Sequence, residues 1–113
     1  MVMEKSDRET TLAEVQDWVR HFCEERSWDP YHGAKDLAIG LVTEASELLE
    51  IFRFVPEKDL AALVERPATR EHIADELADS LYFILRFAQL YKFDLSEALA
   101  RKLNKNAVKY PKP

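Results

Sequence analysis

Residues 35–54 read KDLAIGLVTEASELLEIFRF, and this stretch determines most of what the sequence predicts about the fold. Its apolar side chains recur three and four positions apart, the spacing that gathers them on one broad face of an α-helix. They are Leu37, Leu41, Val42, Ala45, Leu48, Leu49 and Phe52. Pro56 has no backbone N–H to donate and ends the pattern shortly afterwards. The stretch therefore predicts one long amphipathic helix over residues 35–54.

The same apolar spacing recurs three more times along the chain. It predicts further helices over about residues 11–26, 69–91 and 95–109. The first and the last begin with a capping-box spacing, Thr11 with Glu14 and Asp94 with Glu97, in which side-chain oxygens satisfy free N–H groups. Four helices joined by short connections predict an all-α fold of the four-helix-bundle type. Residues 59–64 leave room for one or two additional helical turns.

Composition and charge narrow the class of protein. The 113 residues suit a single domain, 1–113, with residues 1–9 expected to form a flexible N-terminal segment, and two glycines are too few for a turn-rich β-sandwich. A formal net charge of −5 argues against a nucleic acid polymer as partner. The single cysteine, Cys23, excludes an intramolecular disulfide and is expected in the core. No apolar run reaches the length of a signal peptide or a membrane span, so a cytoplasmic protein without a membrane partner is expected.

Two pairs of acidic residues have the same spacing on the second and third predicted helices. Glu44 and Glu47 are three positions apart, as are Glu76 and Asp79, so each pair lies one turn apart on one helix face. On a helical wheel, Glu44 interrupts an apolar row and Glu76 falls between two apolar rows. Each helix therefore directs a carboxylate towards the bundle interior, with a second carboxylate beside it.

Buried carboxylates without a partner are costly, so the pattern requires a neutralising group. Arg53 is the only Lys or Arg in segments 40–54 and 74–85, so protons or metal cations must neutralise most of the carboxylate charge. Mg²⁺ or Mn²⁺ suits an all-oxygen ligand set. None of the histidines follows a glutamate by three positions, as a di-iron bundle requires. On spacing alone, solvated acidic faces without a metal remain the alternative.

Basic and aromatic residues provide candidates for the rest of a site. Lys102, Asn106 and Tyr110, with other lysines at the end of the last predicted helix, can bind phosphate oxygens, although cations are also favourable near any helix C-terminus. Trp28, His32 and Phe54 can form a flat slot for a base, although each could also pack in the core. The sequence leaves both readings open.

These motifs together resemble the MazG-like all-α nucleotide pyrophosphohydrolases. The resemblance rests first on Glu44-x-x-Glu47 followed by Glu76-x-x-Asp79. Segments 25–32, ERSWDPYH, and 44–52, EASELLEIF, are most similar to the dCTP pyrophosphatase branch of that family. Lys102-x-x-x-Asn106-x-x-x-Tyr110-Pro111 resembles the C-terminal phosphate-binding stretch of the same branch.

The resemblance implies Mg²⁺-dependent hydrolysis of a nucleoside triphosphate, of a pyrimidine and dCTP-like kind, to monophosphate and pyrophosphate, as house-cleaning of the nucleotide pool. It assigns the metal to Glu44, Glu47, Glu76 and Asp79. Either Glu47 or Glu44 is expected to take the proton of the attacking water, with Glu47 favoured because it lies farther from the apolar row. The resemblance also assigns the phosphates to Lys102 and Asn106, in the stretch that ends at Tyr110, and the nucleoside to Trp28 and His32. Phe54 is a base-binding candidate through its aromatic ring alone. A homodimer or homotetramer is expected.

Three positions depart from the dCTP branch. Relatives there usually carry Phe-Gln-Trp where this chain has Phe52-Arg53-Phe54, and Asn where it has Asp36, while the mammalian type has His in place of Val19. The departures leave the metal ligands intact and predict a weaker preference for cytosine. Two alternatives to an enzyme stand beside this reading: a non-catalytic helical interaction module, and a nucleotide-sensing bundle that binds metal and triphosphate without turnover.

Overall fold

The computed structural model describes residue 2 and residues 4–113, and every regular element in that part of the chain is helical. Five α-helices follow one another: α1 Leu12–Glu25, α2 Ala34–Phe52, α3 Leu60–Glu65, α4 Pro67–Tyr91 and α5 Leu95–Lys109. Short 3-10 turns lie at Asp7–Glu9, Asp29–Tyr31 and Glu57–Asp59. The predicted all-α class and its four long helices are confirmed, and α3 occupies the segment between the second and third of them.

The helix starts follow the predicted capping signals. The Thr11 hydroxyl accepts from the Glu14 backbone N–H at 3.1 Å, and the Asp94 carboxylate accepts from the Glu97 N–H at 2.9 Å. α4 begins earlier than predicted because Pro67 fits the first helical position, where no N–H is needed. In the predicted flexible segment 1–9, positions 1 and 3 lie outside the described residues, whereas Asp7–Glu9 form a helical turn.

Helices α1 and α4 end in the same way, on a residue with left-handed backbone geometry. Ser27 has φ 53° and Lys92 has φ 60°. The next residue then donates its N–H back into the last turn, from Trp28 to the Cys23 carbonyl at 3.1 Å and from Phe93 to the Ala88 carbonyl at 2.8 Å. The chain therefore turns sharply after each helix, and residues 28–32 come to lie against α4.

Helices α2 and α4 form the central antiparallel pair of the fold. They approach closely because position 40 is a glycine: a Cβ there would overlap the ring of Phe83. Leu37 of α2 and Leu85 and Ala88 of α4 are fully enclosed. The close packing of this pair sets the distance between the acidic residues that the two helices carry.

Helix α1 covers another face of α4. Cys23 is completely buried there, as predicted for a core residue, and its Sγ lies 3.1 Å from the Tyr82 hydroxyl. Gln89 of α4 donates to the Gln16 backbone carbonyl of α1 at 2.9 Å. These two polar contacts fix α1 on α4 at both ends of their shared face.

Helix α5 packs only loosely on the rest of the described chain. Its first turn contributes Leu95 and Ala98 to an apolar groove of about 340 Å³ shared with α2 and α4. Beyond that turn, its apolar side chains Leu99, Leu103 and Val108 are exposed. The radius of gyration is 16.7 Å, whereas a compact domain of this length has about 13 Å.

Large apolar side chains are exposed along three helices. They are Ile39, Val42, Leu49, Leu77, Leu81, Ile84, Leu99, Leu103 and Val108. The accessible surface is 9159 Å², about 2,700 Å² more than the roughly 6,400 Å² expected of a compact monomer of this size. None of the described helices combines the length and the apolar character needed to cross a membrane.

Candidate metal centre

Helices α2 and α4 bring three carboxylates together between them. Glu44, Glu47 and Glu76 each offer an oxygen, and these oxygens lie within 4.8 Å of one another. The three residues form the carboxylate cluster. They meet because Glu44 and Glu47 share the face of α2 that packs on α4, about one turn beyond Gly40. The inward direction that the helical wheel predicted for Glu44 and Glu76 is the direction that the structure shows.

The cluster is deficient in positive charge and in hydrogen-bond donors. Oε2 of Glu44 and Oε2 of Glu76 are buried with no hydrogen-bond partner among the described residues, as is Oγ of the neighbouring Ser80. Burial, followed by the proximity of Glu47, raises the pKa of Glu44 from 4.5 to about 7. The same two causes raise the pKa of Glu76. Such a site favours either protons or a cation.

One basic side chain that sequence reasoning missed does reach the cluster. His72 Nε2 lies 3.4 Å from Glu76 Oε1 and partly offsets the rise in the pKa of Glu76. The spacing of four positions between His72 and Glu76 on one helix was the available signal, because such pairs are neighbours on a helix surface.

Asp79, the fourth predicted ligand, lies outside the group of three. Its side chain is exposed, and it does not belong to the group whose oxygens lie within 4.8 Å of one another. Its charge nevertheless contributes to the raised pKa of Glu44 and of Glu76, so it stands near the cluster. Its role as a metal ligand stays a prediction.

The structure separates the three residues predicted to bind the base. Trp28 and His32 lie together in the loop before α2, with ring centroids 6.1 Å apart in an edge-to-face arrangement. Phe54 lies just beyond the other end of α2, 83% exposed, with the Arg53 guanidinium 4.7 Å from its ring centre. Since α2 has 19 residues, about 28 Å of helix separates the two ends. One chain cannot bring all three side chains to one base.

The predicted phosphate-binding residues lie on the exposed part of α5. Lys102 and Tyr110 are exposed and Asn106 is half-buried. Lys109 stands over the Tyr110 ring at 5.3 Å, and the Tyr110 N–H donates to the Asn106 carbonyl at 2.7 Å. In the part of the chain that the structure describes, α5 does not pack along α2 and α4 where the cluster lies.

The sequence matches a known family model over most of its length. The family model of the MazG nucleotide pyrophosphohydrolase domain matches residues 33–112, which include the whole cluster and α5. The dCTP pyrophosphatase 1 of Bos taurus is 30% identical over 103 residues, and that of Homo sapiens is 29% identical over the same length. In both cases the match covers 91% of this chain and 61% of the relative, so the chain spans about three-fifths of the length of these curated relatives.

A solved structure is similar over the entire fold. The crystal structure of a pyrophosphatase from Archaeoglobus fulgidus superimposes with a TM-score of 0.84 at 31% sequence identity, covering 99% of this chain and 100% of the other. The likeness therefore extends to the loosely packed α5. The resemblance seen in the motifs is confirmed, and the chain belongs to the family of MazG nucleotide pyrophosphohydrolase domains.

Proposed function

We propose that this protein hydrolyses nucleoside triphosphates, with a preference for pyrimidine, dCTP-like substrates, to nucleoside monophosphate and pyrophosphate in a Mg²⁺-dependent reaction. The carboxylate cluster carries the proposal, because two of its buried oxygens have no partner within the described chain. The names of the relatives, dCTP pyrophosphatases, support the class of substrate. The cellular role would be house-cleaning of the nucleotide pool.

The residues present fit Mg²⁺. Glu44, Glu47 and Glu76 offer only oxygen, the donor that hard divalent cations prefer. Asp79, whose charge acts on Glu44 and Glu76, is the proposed fourth ligand. When bound, the metal neutralises phosphate charge, orients the substrate and makes the attacking water more acidic. Mn²⁺ has the same ligand preference and is expected to substitute.

Glu47 is the best candidate for general base. It is exposed to solvent, whereas Glu44 and Glu76 are largely enclosed, so a water molecule can reach its carboxylate. The water oxygen forms a bond to the α-phosphorus while the bond from that phosphorus to the bridging oxygen breaks. The proton passes to Glu47 and pyrophosphate leaves with the electron pair, without a covalent enzyme intermediate. Glu44 is the alternative base.

A homodimer or homotetramer completes this site. The phosphate-binding candidates on α5 and the base-binding candidate Phe54 lie away from Trp28 and His32 within one chain, so a second copy is the natural source of the missing groups. The excess accessible surface and the apolar faces of α2, α4 and α5 support such an assembly, because a monomer rarely exposes so much apolar area.

A panel of nucleoside triphosphates with Mg²⁺ tests the proposed activity. Products are separated to distinguish monophosphate plus pyrophosphate from diphosphate plus phosphate, and kcat/KM is measured for dCTP, dUTP, dTTP, dATP and dGTP. Since Phe54 and Val19 offer no polar contact to a base edge, we expect the five values to lie within about one to two orders of magnitude. A preference above about 10⁴-fold would require a polar readout that these residues do not provide.

The same panel, together with calorimetry of Mg²⁺ and nucleotide binding, distinguishes the enzyme from the two alternatives. Binding of Mg²⁺ and triphosphate without turnover would show that the protein is a nucleotide-sensing bundle and not an enzyme. If calorimetry detects neither Mg²⁺ nor nucleotide binding, the protein is better described as a helical interaction module. Diphosphate plus phosphate as products would keep the metal centre and overturn attack at the α-phosphorus.

A further inference from the structure

A cation lies inside the fold away from the carboxylate cluster. Arg86 of α4 is 1% exposed and lies where α4 meets α1 and the loop before α2. All three parts of its guanidinium donate: Nε to His32 Nδ1 at 3.0 Å, one terminal nitrogen to Gln89 Oε1 at 2.7 Å, and the other to the Asp29 carboxylate. Two of these acceptors belong to the loop that carries Trp28.

The same network reaches α1. Gln89, which accepts from Arg86, donates its own side-chain N–H to the Gln16 backbone carbonyl at 2.9 Å. The other end of the loop is held by the Trp28 N–H on the Cys23 carbonyl. The loop is therefore fixed at both ends, and Arg86 provides its attachment to α4.

Packing alone does not account for an arginine here. Removing a guanidinium from water is costly, and an apolar side chain of similar volume often stabilises such a position equally well or better. The partner carboxylate of Asp29 is itself 57% exposed, so the ion pair sits at the boundary between core and solvent. What arginine provides and an apolar residue cannot is a set of fixed donors pointing at the loop.

The contact to His32 determines where that ring carries its proton. Arginine can only donate, so His32 Nδ1 must accept and the neutral ring is protonated at Nε2. The charged groups facing the ring are Arg86 of α4, Asp29 of the loop and Asp36 of α2, and burial together with the charge of Arg86 lowers the pKa of His32. The neutral ring offers Nε2–H as its donor to a bound molecule.

We propose that Arg86 is a positioning residue for nucleoside recognition: it holds the 28–32 loop on α4 and fixes His32 as the Nε2–H tautomer, which donates to an acceptor atom of the nucleoside. This inference rests on the proposed function for the identity of the ligand. The tautomer itself follows from the contacts within the chain.

The first test is NMR of the histidine side chains in the intact protein without nucleotide. Long-range ¹H–¹⁵N spectra distinguish the two tautomers, and His32→Gln identifies the His32 signals because they disappear from its spectrum. We expect the Nε2–H tautomer alone at neutral pH in the wild type, and a mixture of the two tautomers in Arg86→Met, because nothing then holds Nδ1 as an acceptor. A wild-type ring protonated at Nδ1, or an unchanged pattern in Arg86→Met, overturns the proposal whether or not the protein has the proposed activity.

The second test is a kinetic cycle with dCTP and Mg²⁺. Arg86→Met should raise KM about tenfold with little change in kcat, which corresponds to the loss of about one well-placed hydrogen bond. In a His32→Ala background the same substitution should raise KM clearly less than in the wild type, because only the contact from Arg86 to Asp29 remains to be lost. Equal effects in both backgrounds overturn the proposal.

Two further variants serve as a control and as a conservative replacement. Arg70→Met removes an exposed arginine of the same helix, paired with Glu65 at 3.7 Å, and should leave KM and the His32 spectrum unchanged. If Arg86→Met does not fold, Arg86→Lys keeps the cation but not the forked donors and should still raise KM and disturb the tautomer. A wild-type KM and tautomer in Arg86→Lys would show that charge alone suffices and overturn the role assigned to the fork. Lack of dCTP turnover by the wild type would count against the proposed function and leave the NMR result standing.

Discussion

Glu47 differs from the other members of the carboxylate cluster because solvent reaches its side chain, while Glu44 and Glu76 are largely enclosed. The three therefore have different expected roles although they share one chemistry. Enclosed carboxylates bind a cation tightly because they have little water to lose, whereas an exposed one can exchange protons with bulk solvent. This difference can be tested one residue at a time.

We expect Glu47→Gln and Asp79→Asn to lower kcat at least about a hundredfold while the helical fold is retained, because each removes a charge from the site and leaves the volume unchanged. Circular dichroism checks the fold and pyrophosphate release checks kcat. The matched control is Glu71→Gln, an exposed glutamate of α4 with no place in the cluster. Full activity in Glu47→Gln would show that the carboxylate cluster takes no part in the reaction.

The raised pKa of Glu44 has a consequence for stability. Since this pKa is 4.5 in a free side chain and about 7 in the fold, the stabilising contribution of Glu44 is fully present below about pH 4.5 and is lost as the pH rises through about 7. In EDTA, the Tm of the wild type should therefore fall relative to that of Glu44→Gln across this range. A difference in Tm that does not change with pH would contradict the raised pKa.

Mg²⁺ should reverse that loss. A cation that binds only the folded protein raises Tm by mass action, and it competes with protons for the carboxylates. We expect millimolar Mg²⁺ to raise Tm more at about pH 8 than at about pH 5.5, and EDTA to abolish the rise. In Glu76→Gln the rise should be reduced at both pH values. If Mg²⁺ raises the Tm of Glu76→Gln as much as that of the wild type, the cation binds outside the carboxylate cluster.

At the scale of the elements, the contact between α2 and α4 depends on Gly40. A methyl group at this position overlaps the Phe83 ring, so Gly40→Ala should destabilise the fold by about 1–3 kcal/mol in spite of the better helix propensity of alanine. Urea unfolding measures the change. Gly33→Ala is the matched control, because its Cβ would meet only a flexible Asp36 oxygen at 3.3 Å.

The steric origin of this effect can be isolated. Adding Phe83→Leu to Gly40→Ala should restore part of the lost stability, since the smaller side chain leaves room for the methyl group. Turnover should respond as well, because Gly40 precedes Glu44 by one turn and sets the spacing of the cluster. A double variant no more stable than Gly40→Ala would show that the ring is not the obstacle.

The elements that sequence could predict are those with local causes. Apolar spacing and the side-chain caps at Thr11 and Asp94 lie within one helix and its first turn, and they placed the four long helices within a few residues. The convergence of Glu44 and Glu76 was also accessible, because each lies on a face that must be buried. The wheel describes one helix at a time and could not show that Asp79 falls outside the group or that α5 packs only loosely on the other helices.

At the scale of the whole molecule, the chain exposes more surface than a compact monomer, and its apolar faces are expected to close on a second copy. Leu103→Glu, at a residue 56% exposed on α5, should lower the assembly mass and reduce turnover. Light scattering coupled to size-exclusion chromatography measures the mass. Arg101→Glu places the same side chain on the opposite face of α5 and should leave the mass unchanged. A wild type that elutes as a monomer would contradict the assembly.

The buried thiol of Cys23 can report how often the fold opens. A thiol enclosed between α1 and α4, beside the Tyr82 hydroxyl, reacts with a thiol reagent only after the two helices have separated. At low reagent concentration the labelling rate follows the equilibrium population of the opened form, and at high concentration it follows the opening rate itself. α1 carries no member of the carboxylate cluster. Labelling with and without Mg²⁺ therefore reveals whether α1 separates independently of the α2–α4 pair or whether the whole bundle opens as one cooperative unit.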